Sequence, residues 1–326
     1  MRYFVTGGAG FIGSHFVRRL VNQADSEVSQ VTILDKFTYS GNLANLTESL
    51  SDPRVKVVRG DVCDSELLMS VIGNHDVVVH FAAESHVDRS INSARPFILT
   101  NVLGTQTVLE AALVNSVGTV VHVSTDEVYG SLDDGSWSES EPLLPNSPYS
   151  ASKASSDLVA RAFYQTYGMD VRVTRCSNNF GTHQYPEKLI PLFITNLIDG
   201  LNVPLYGDGL NIRDWLHVED HCRAIDLVVR HGRAGEIYNV GGGTELTNID
   251  LTRKILRLFG RGDESIERVA DRPGHDRRYS VDWSKIRIEL GYQPSRDVED
   301  ALPEIVEWYR TNEAWWRPLL VRRTQD

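Results

Sequence analysis

Through the first half of the chain, short β-branched apolar runs alternate with longer stretches of helical period. "YFVTG", "VTILD", "VKVVRGD", "VVVHFAA", "TVVHVST" and "VRVTRC" read as strands, each apolar on both faces. Runs of this kind separated by helix-length segments predict parallel strands, covered on both sides and joined by right-handed crossovers, which is a doubly wound α/β sheet. From about Gly181 the alternation stops. Loops rich in Pro and Gly, such as "NVPLYGDGLNIRDW" and "DRPGHDRRY", mix with helices predicted near Pro186–Gly200, Val218–Arg230, Asn248–Leu258 and Asp297–Arg310. The reading is two units. Residues 1–180 are expected to form the sheet domain, and residues 181–326 a smaller mixed α/β lobe over the sheet's carboxyl edge, with some chain crossing back.

Composition narrows the class. At 326 residues, 41% hydrophobic and 24% charged, the chain is an ordinary globular sequence, large enough for one main core and an appended lobe. A net charge of −11 opposes non-specific attraction to nucleic acid or anionic lipid. The three cysteines, Cys63, Cys176 and Cys222, have none of the close spacings of a zinc site or a disulfide framework, so no metal is expected and a reducing cytoplasm fits best. The opening "MRYFVTGG" lacks a basic stretch followed by a long apolar run, and no uninterrupted apolar segment is long enough to span a bilayer. Neither export nor membrane insertion is expected.

The segment "VTGGAGFIGSH" follows the first strand and opens a helix, the context that gives a Gly-rich turn its meaning and points to a Rossmann-type domain. Gly7 and Gly10 let backbone approach a pyrophosphate, and Gly13 lets the helix pack closely on the sheet. A tight strand-to-helix turn is the bland alternative. Asp35, closing the second strand, is spaced to accept hydrogen bonds from an adenosine ribose and to repel a 2′-phosphate, which favours NAD over NADP. Neighbouring Lys36 offsets part of that repulsion. Asp61 in "RGDV" could reach the adenine or simply cap the next helix. Phe81, Ala82 and Ala83 form an apolar floor.

"SPYSASKASSDLV" places Tyr149 four residues before Lys153, on one helix face. A cation beside a phenol lowers its pKa, so Tyr149 could take a hydroxyl proton while a nicotinamide accepts a hydride. An exposed helix pair is the bland alternative, and the dinucleotide fingerprint weighs against it.

Together these motifs resemble the extended short-chain dehydrogenase/reductase family. Within it, "TGGAGFIGSH", "HFAAESHVDRSI", "STDEVYG", "SPYSASKASSD", "SNNFG", "PEKLIP", "IRDWLHVEDH" and "RPGHDRRY" look like the signatures of the dTDP-glucose 4,6-dehydratases, in that family's order. The resemblance implies conversion of a nucleoside-diphosphate glucose to its 4-keto-6-deoxy product, commonly by a homodimer that holds NAD throughout. By analogy, helices at Ala94–Asn115 and Tyr149–Tyr167 would form the dimer contact. It implies Asp126 as acid and Glu127 as base, with Thr125 hydrogen-bonding the O4 region beside Tyr149. Phe11, Ile12, Thr38, Val62, Ser85, Thr100, Cys176 and Asn179 join the cofactor side. Asn178, Lys188, Leu189, Arg213, Asn248, Arg272 and His275 fall on the nucleotide-sugar side, with Pro204 to Tyr206 along the base and Ser85 near the hexose.

The chemistry agrees with such a pair. Oxidation at sugar C4 acidifies the C5 proton, because the carbanion left behind is an enolate; removing it needs a base. Expelling the C6 hydroxyl as water needs an acid, and two carboxyls of different protonation state serve both needs. The competing reading is a capping box, Ser124-x-x-Glu127, at a helix start. On a continuing strand Asp126 and Glu127 would point to opposite faces, so the catalytic reading requires the chain to leave β geometry near Thr125. Guanidinium forks at Arg213, Arg272 and Arg278, with His275, suit a diphosphate. Asp88-Arg89 reads as a structural pair. "NFGTHQ" departs from the expected "NYGPYQ" at Phe180, Thr182 and His183, with His183 read as a loop residue. A nucleotide-sugar epimerase or decarboxylase is the nearest alternative and needs no Asp-Glu pair; a non-catalytic NAD-binding protein is a further one.

Overall fold

A computed structural model describes residues 1–22 and 27–323. The six predicted strands are present as β1 (Arg2–Thr6), β2 (Gln30–Asp35), β3 (Val55–Arg59), β4 (Val77–His80), β5 (Thr119–Thr125) and β6 (Val171–Cys176). They are followed by β7 (Asn178–Phe180), β8 (Val203–Tyr206), β9 (Ile212–His217), β10 (Ile237–Val240), β11 (Glu245–Thr247) and β12 (Ile266–Val269). The main sheet is seven-stranded and parallel, in the order β10-β6-β5-β4-β1-β2-β3. Its seventh strand, β10, comes from the second half of the chain and pairs only with β6.

Helices cover both faces, so the sheet is doubly wound. Phe16, Val17 and Leu20 of the helix Phe11–Asn22 pack with Ala224, Ile225 and Val228 of the helix Val218–His231 on one side. On the other, Leu68, Val108, Leu109 and Ala160 pack over Phe4, Val78 and Val120. β3 departs from the expectation of two apolar faces: it lies at the sheet edge, and Lys56 and Arg59 are exposed. The smaller lobe has its own core, where Ile190, Phe193 and Leu197 meet Leu251, Ile255, Leu302, Ile305 and Trp316. Its short sheets, β11-β9-β7 and β12-β8, stand beside the carboxyl edge of the large one. The helix Arg95–Val114 has the length and apolar content of a membrane span, yet half of it is buried in the chain, with Val108, Leu109, Ala111 and Ala112 inside. Its outer side carries exposed Ile98, Leu99, Leu103 and Val114.

Candidate active site

Parallel β1 and β4 are neighbours whose connections run to opposite sides, and the crevice beyond their carboxyl ends is where such sheets bind ligands. The first turn there is built for close approach. Gly7 has φ +69° and a Cβ on it would lie 2.7 Å from Ala82 N; one on Gly13 would lie 2.3 Å from Gly7 O. Asp35 is buried, accepting from Ala9 N at 2.9 Å and Phe37 N at 2.8 Å. These contacts tie the strand end to the Gly-rich turn. Burial raises its pKa, against the pull of the two N–H donors. Asp61 accepts from Lys36 Nζ at 2.6 Å and from Cys63 N at 2.9 Å, while Asp64 caps the helix Ser65–Val71. One continuous cleft is lined by Gly7, Gly10, Phe11, Ile12, Gly13, Asp35, Lys36, Thr38, Asp61, Val62, Phe81, Ala82, Ala83, Ser85 and Thr100. The same cleft continues past Thr125, Asp126, Glu127, Tyr149, Lys153, Cys176, Asn178, Asn179 and Lys188.

At Thr125 the chain leaves the strand, and Asp126–Tyr129 form a 3-10 turn. Thr125 is the cap, its Oγ1 accepting from Glu127 N at 3.3 Å; the Ser124 hydroxyl makes no such bond, so the capping box is not formed. The turn brings both carboxyls to the cleft wall. Asp126 is 2% exposed, with Oδ1 accepting from Thr125 Oγ1 at 3.2 Å and Oδ2 unpartnered. Burial, then Glu127 and Asp214, push its pKa well above the carboxylate range. Glu127 is raised by burial too, but Arg272, Lys188 and Arg213 oppose the shift. The two acids therefore sit in different electrostatic surroundings.

Tyr149 and Lys153 project from the helix Pro148–Tyr167, which starts at a Ser147/Ser150 capping box with Pro148 in its first turn. Lys153 Nζ donates to Val123 O at 2.8 Å, and burial lowers its pKa to about 8. The expectation that the Lys153 cation leaves the Tyr149 phenol with a lowered pKa is corrected. Burial first, then the charge of Glu127, hold that phenol well above its usual range, with a hydrogen bond to Thr125 working the other way.

On the far side stand the lobe's cations. Lys188 Nζ donates to Ser85 O at 2.8 Å. Arg272 reaches Asp88 at 3.5 Å, and its buried Nε is unpartnered. Tyr206 OH donates to Asp88 Oδ2 at 3.2 Å and its ring faces His275 edge-on. Asp88 and Arg89 are thus not paired with each other: Arg89 joins Glu187 at 3.4 Å and lies over the Tyr39 ring. Adjacent residues on a helix point apart, which is why the sequence pairing fails. Arg213 is committed to the carbonyls of Ile212 and Asp276 and stacks on Tyr279. Arg278 pairs with Glu245 at 3.0 Å and donates to Gly135 O at 2.7 Å. Leu189 and Asn248 begin helices, Asn248 N bonding Asn211 O at 2.9 Å, and Pro204 lies on β8.

The family model described as GDP-mannose 4,6 dehydratase matches residues 4–305. The chain belongs to this family. A dTDP-glucose 4,6-dehydratase of Actinoplanes is 58% identical, over 97% of this chain and 100% of the relative. One from Streptomyces antibioticus is also 58% identical, over 99% and 96% respectively. Among solved structures, the dTDP-glucose 4,6-dehydratase of Streptomyces venezuelae, with NAD and TYD bound, is 60% identical with a TM-score of 0.97, covering 98% of this chain and 100% of that one.

Several cleft residues were not singled out from sequence: Glu84, Gln184, Tyr185 and Glu187 also line it. The quoted "PEKLIP" contained Glu187, but nothing local separates a lining carboxylate from a solvated one. The "NFGTHQ" departure turns out to be packing. Phe180 is fully buried against Trp215 and His217, and His183 lies against Trp308 and Trp315.

Proposed function

We propose that this chain dehydrates dTDP-glucose to dTDP-4-keto-6-deoxyglucose, using NAD that is regenerated in each cycle. The observation that carries the reading is the pair Asp126 and Glu127, both on the cleft wall with Tyr149 and under unequal electrostatic influence. The cleft suits NAD: the turn at Gly7 and Gly13 has no room for a side chain, and the following helix directs N–H groups at an anion. Each Asp35 oxygen holds one N–H and keeps a lone pair for a ribose hydroxyl.

Bound there, NAD supplies the hydride acceptor for C4 and the donor to C6, together with a positively charged ring. Tyr149, bridged to Thr125, takes the O4 proton; burial and Glu127 oppose the phenolate, and the Thr125 hydrogen bond favours it. Glu127, raised by burial but drawn back toward its ionised form by Arg272, Lys188 and Arg213, removes the C5 proton and later returns it. Asp126, kept protonated by burial and by its neighbour's charge, gives its proton to the departing C6 hydroxyl, which leaves as water. Thr125 touches both Tyr149 and Asp126, a path by which the proton gained at O4 replaces the one lost to water. The unpartnered Asn178 Oδ1 and Arg272 Nε are free to bind the sugar and the diphosphate.

The exposed apolar side chains of Arg95–Val114, with Leu158 on the Pro148–Tyr167 helix, support a homodimer formed through this helix pair. The free thiols Cys63, Cys176 and Cys222 fit a reducing cytoplasm. The test of function is incubation with dTDP-, UDP- and CDP-glucose. A 6-deoxy-4-keto product from dTDP-glucose supports the reading; a recovered C4 epimer, or no turnover of any of the three, overturns it.

A further inference from the structure

The C-terminal helix Glu313–Arg323 crosses from the smaller lobe to the cofactor end of the sheet. Its Trp315 donates Nε1–H to Asn45 Oδ1 at 2.8 Å, across 270 residues of sequence. Asn45 is 3% exposed, and its Nδ2 donates to Ala9 O at 2.9 Å. Ala9 lies in the Gly-rich turn, with its own N–H on Asp35 Oδ2. The rest of Asn45 is fixed as well: its N–H bonds Asn42 O at 3.0 Å and its carbonyl accepts from Arg18 Nη1 at 2.8 Å.

A buried amide side chain has two ends of nearly the same shape and opposite polarity. Only one orientation of Asn45 offers an acceptor to Trp315 and a donor to Ala9. Turned over, it would set its NH₂ against an N–H donor and its oxygen against the Ala9 carbonyl. The indole N–H therefore selects the orientation in which Asn45 joins Asn42 N, at 3.0 Å, in holding that carbonyl. The peptide between Ala9 and Gly10 is planar, so fixing the Ala9 oxygen also fixes the Gly10 N–H, which closes the turn on Gly7 O at 3.1 Å. The indole itself is held by Trp308, with ring centroids 5.1 Å apart, and by His183 at 5.5 Å.

We propose that Trp315 is a positioning residue for the cofactor turn, acting through the Asn45 amide on Ala9. The inference rests on the reading that this turn holds NAD. The experiment uses purified holoprotein and measures the rate at which bound NAD exchanges for isotopically labelled NAD, beside the KM for dTDP-glucose. Trp315→Phe keeps an aromatic ring against Trp308 and His183 and removes the donor together with part of the indole's bulk. One lost buried hydrogen bond should speed exchange about fivefold. Asn45→Ala should do at least the same, and the double variant should exchange no faster than Asn45→Ala, since both break one chain of contacts. The KM for dTDP-glucose should not move. Exchange at the wild-type rate in Trp315→Phe, or effects that multiply in the double variant, would overturn the proposal. If Trp315→Phe does not accumulate, Asn45→Ala alone decides: wild-type exchange overturns the proposal, and accelerated exchange with unchanged KM supports it. A wild type that binds no NAD would instead overturn the functional reading itself.

Discussion

Replacing Asp126 by Asn isolates the acid from the base. Asn keeps the Oδ1 acceptor for Thr125 Oγ1 and puts an amide where the buried, unpartnered Oδ2 lies, so one proton donor is lost with little change of shape. A general acid contributes roughly a hundredfold to ten-thousandfold, or about 3–5 kcal/mol of barrier. That loss should fall on water elimination. In the proposed mechanism oxidation at C4 uses Tyr149 and Lys153, and it should keep most of its rate. Rapid mixing followed in the near ultraviolet reports C4 oxidation, and quenched samples report the 6-deoxy product. The variant should show the first nearly intact and the second slowed by at least a hundredfold. Equal loss in both steps, or no loss in either, would refute the assignment. Stability supplies a check independent of turnover. The folded pKa of Asp126 lies above its unfolded 3.8, so this group's stabilising contribution is present below 3.8 and is lost as pH rises through the folded value. Asn escapes that loss. Its melting temperature should exceed the wild type's at mildly alkaline pH, with the gap closing on acidification.

Lys153→Met should cut turnover by at least about a hundredfold. Because burial lowers the Lys153 pKa from 10.5 to about 8, its contribution to stability is present above 10.5 and lost as pH falls through 8; thermal melts should therefore favour the variant below pH 8 and lose that advantage toward 10.5. Asp35→Asn places an NH₂ against the N–H of Ala9 or Phe37, an unsatisfied contact expected to weaken NAD by about 1–3 kcal/mol in a binding titration. Unchanged affinity would separate Asp35 from the ribose site.

The strands β1, β2 and β4 to β6 were readable because central parallel strands are continuous apolar runs, and that signal survives without tertiary context; β3, at the edge, showed only its β-branched Val55, Val57 and Val58. β10 was not, since "IYNV" is short, follows a Gly-containing turn and pairs on one side only. The Gly-rich turn and the Tyr149–Lys153 spacing were legible for a related reason: their chemistry requires fixed local separations. Contacts made across the chain had no such signal. Arg272 finds Asp88, Arg89 finds Glu187, and Trp315 finds Asn45 only once the second lobe is folded back. The Tyr149 phenol shows the same limit. Its cationic neighbour is visible four residues away, but burial beside Glu127, which raises its pKa, is a property of the assembled cleft.

The most direct measurement is turnover of dTDP-glucose in deuterated water, with the product read by NMR. Removal and return of the C5 proton by Glu127 predicts a 6-deoxy-4-keto sugar carrying solvent deuterium at C5. A product that keeps its original C5 hydrogen, or a sugar altered only at C4, would contradict the account.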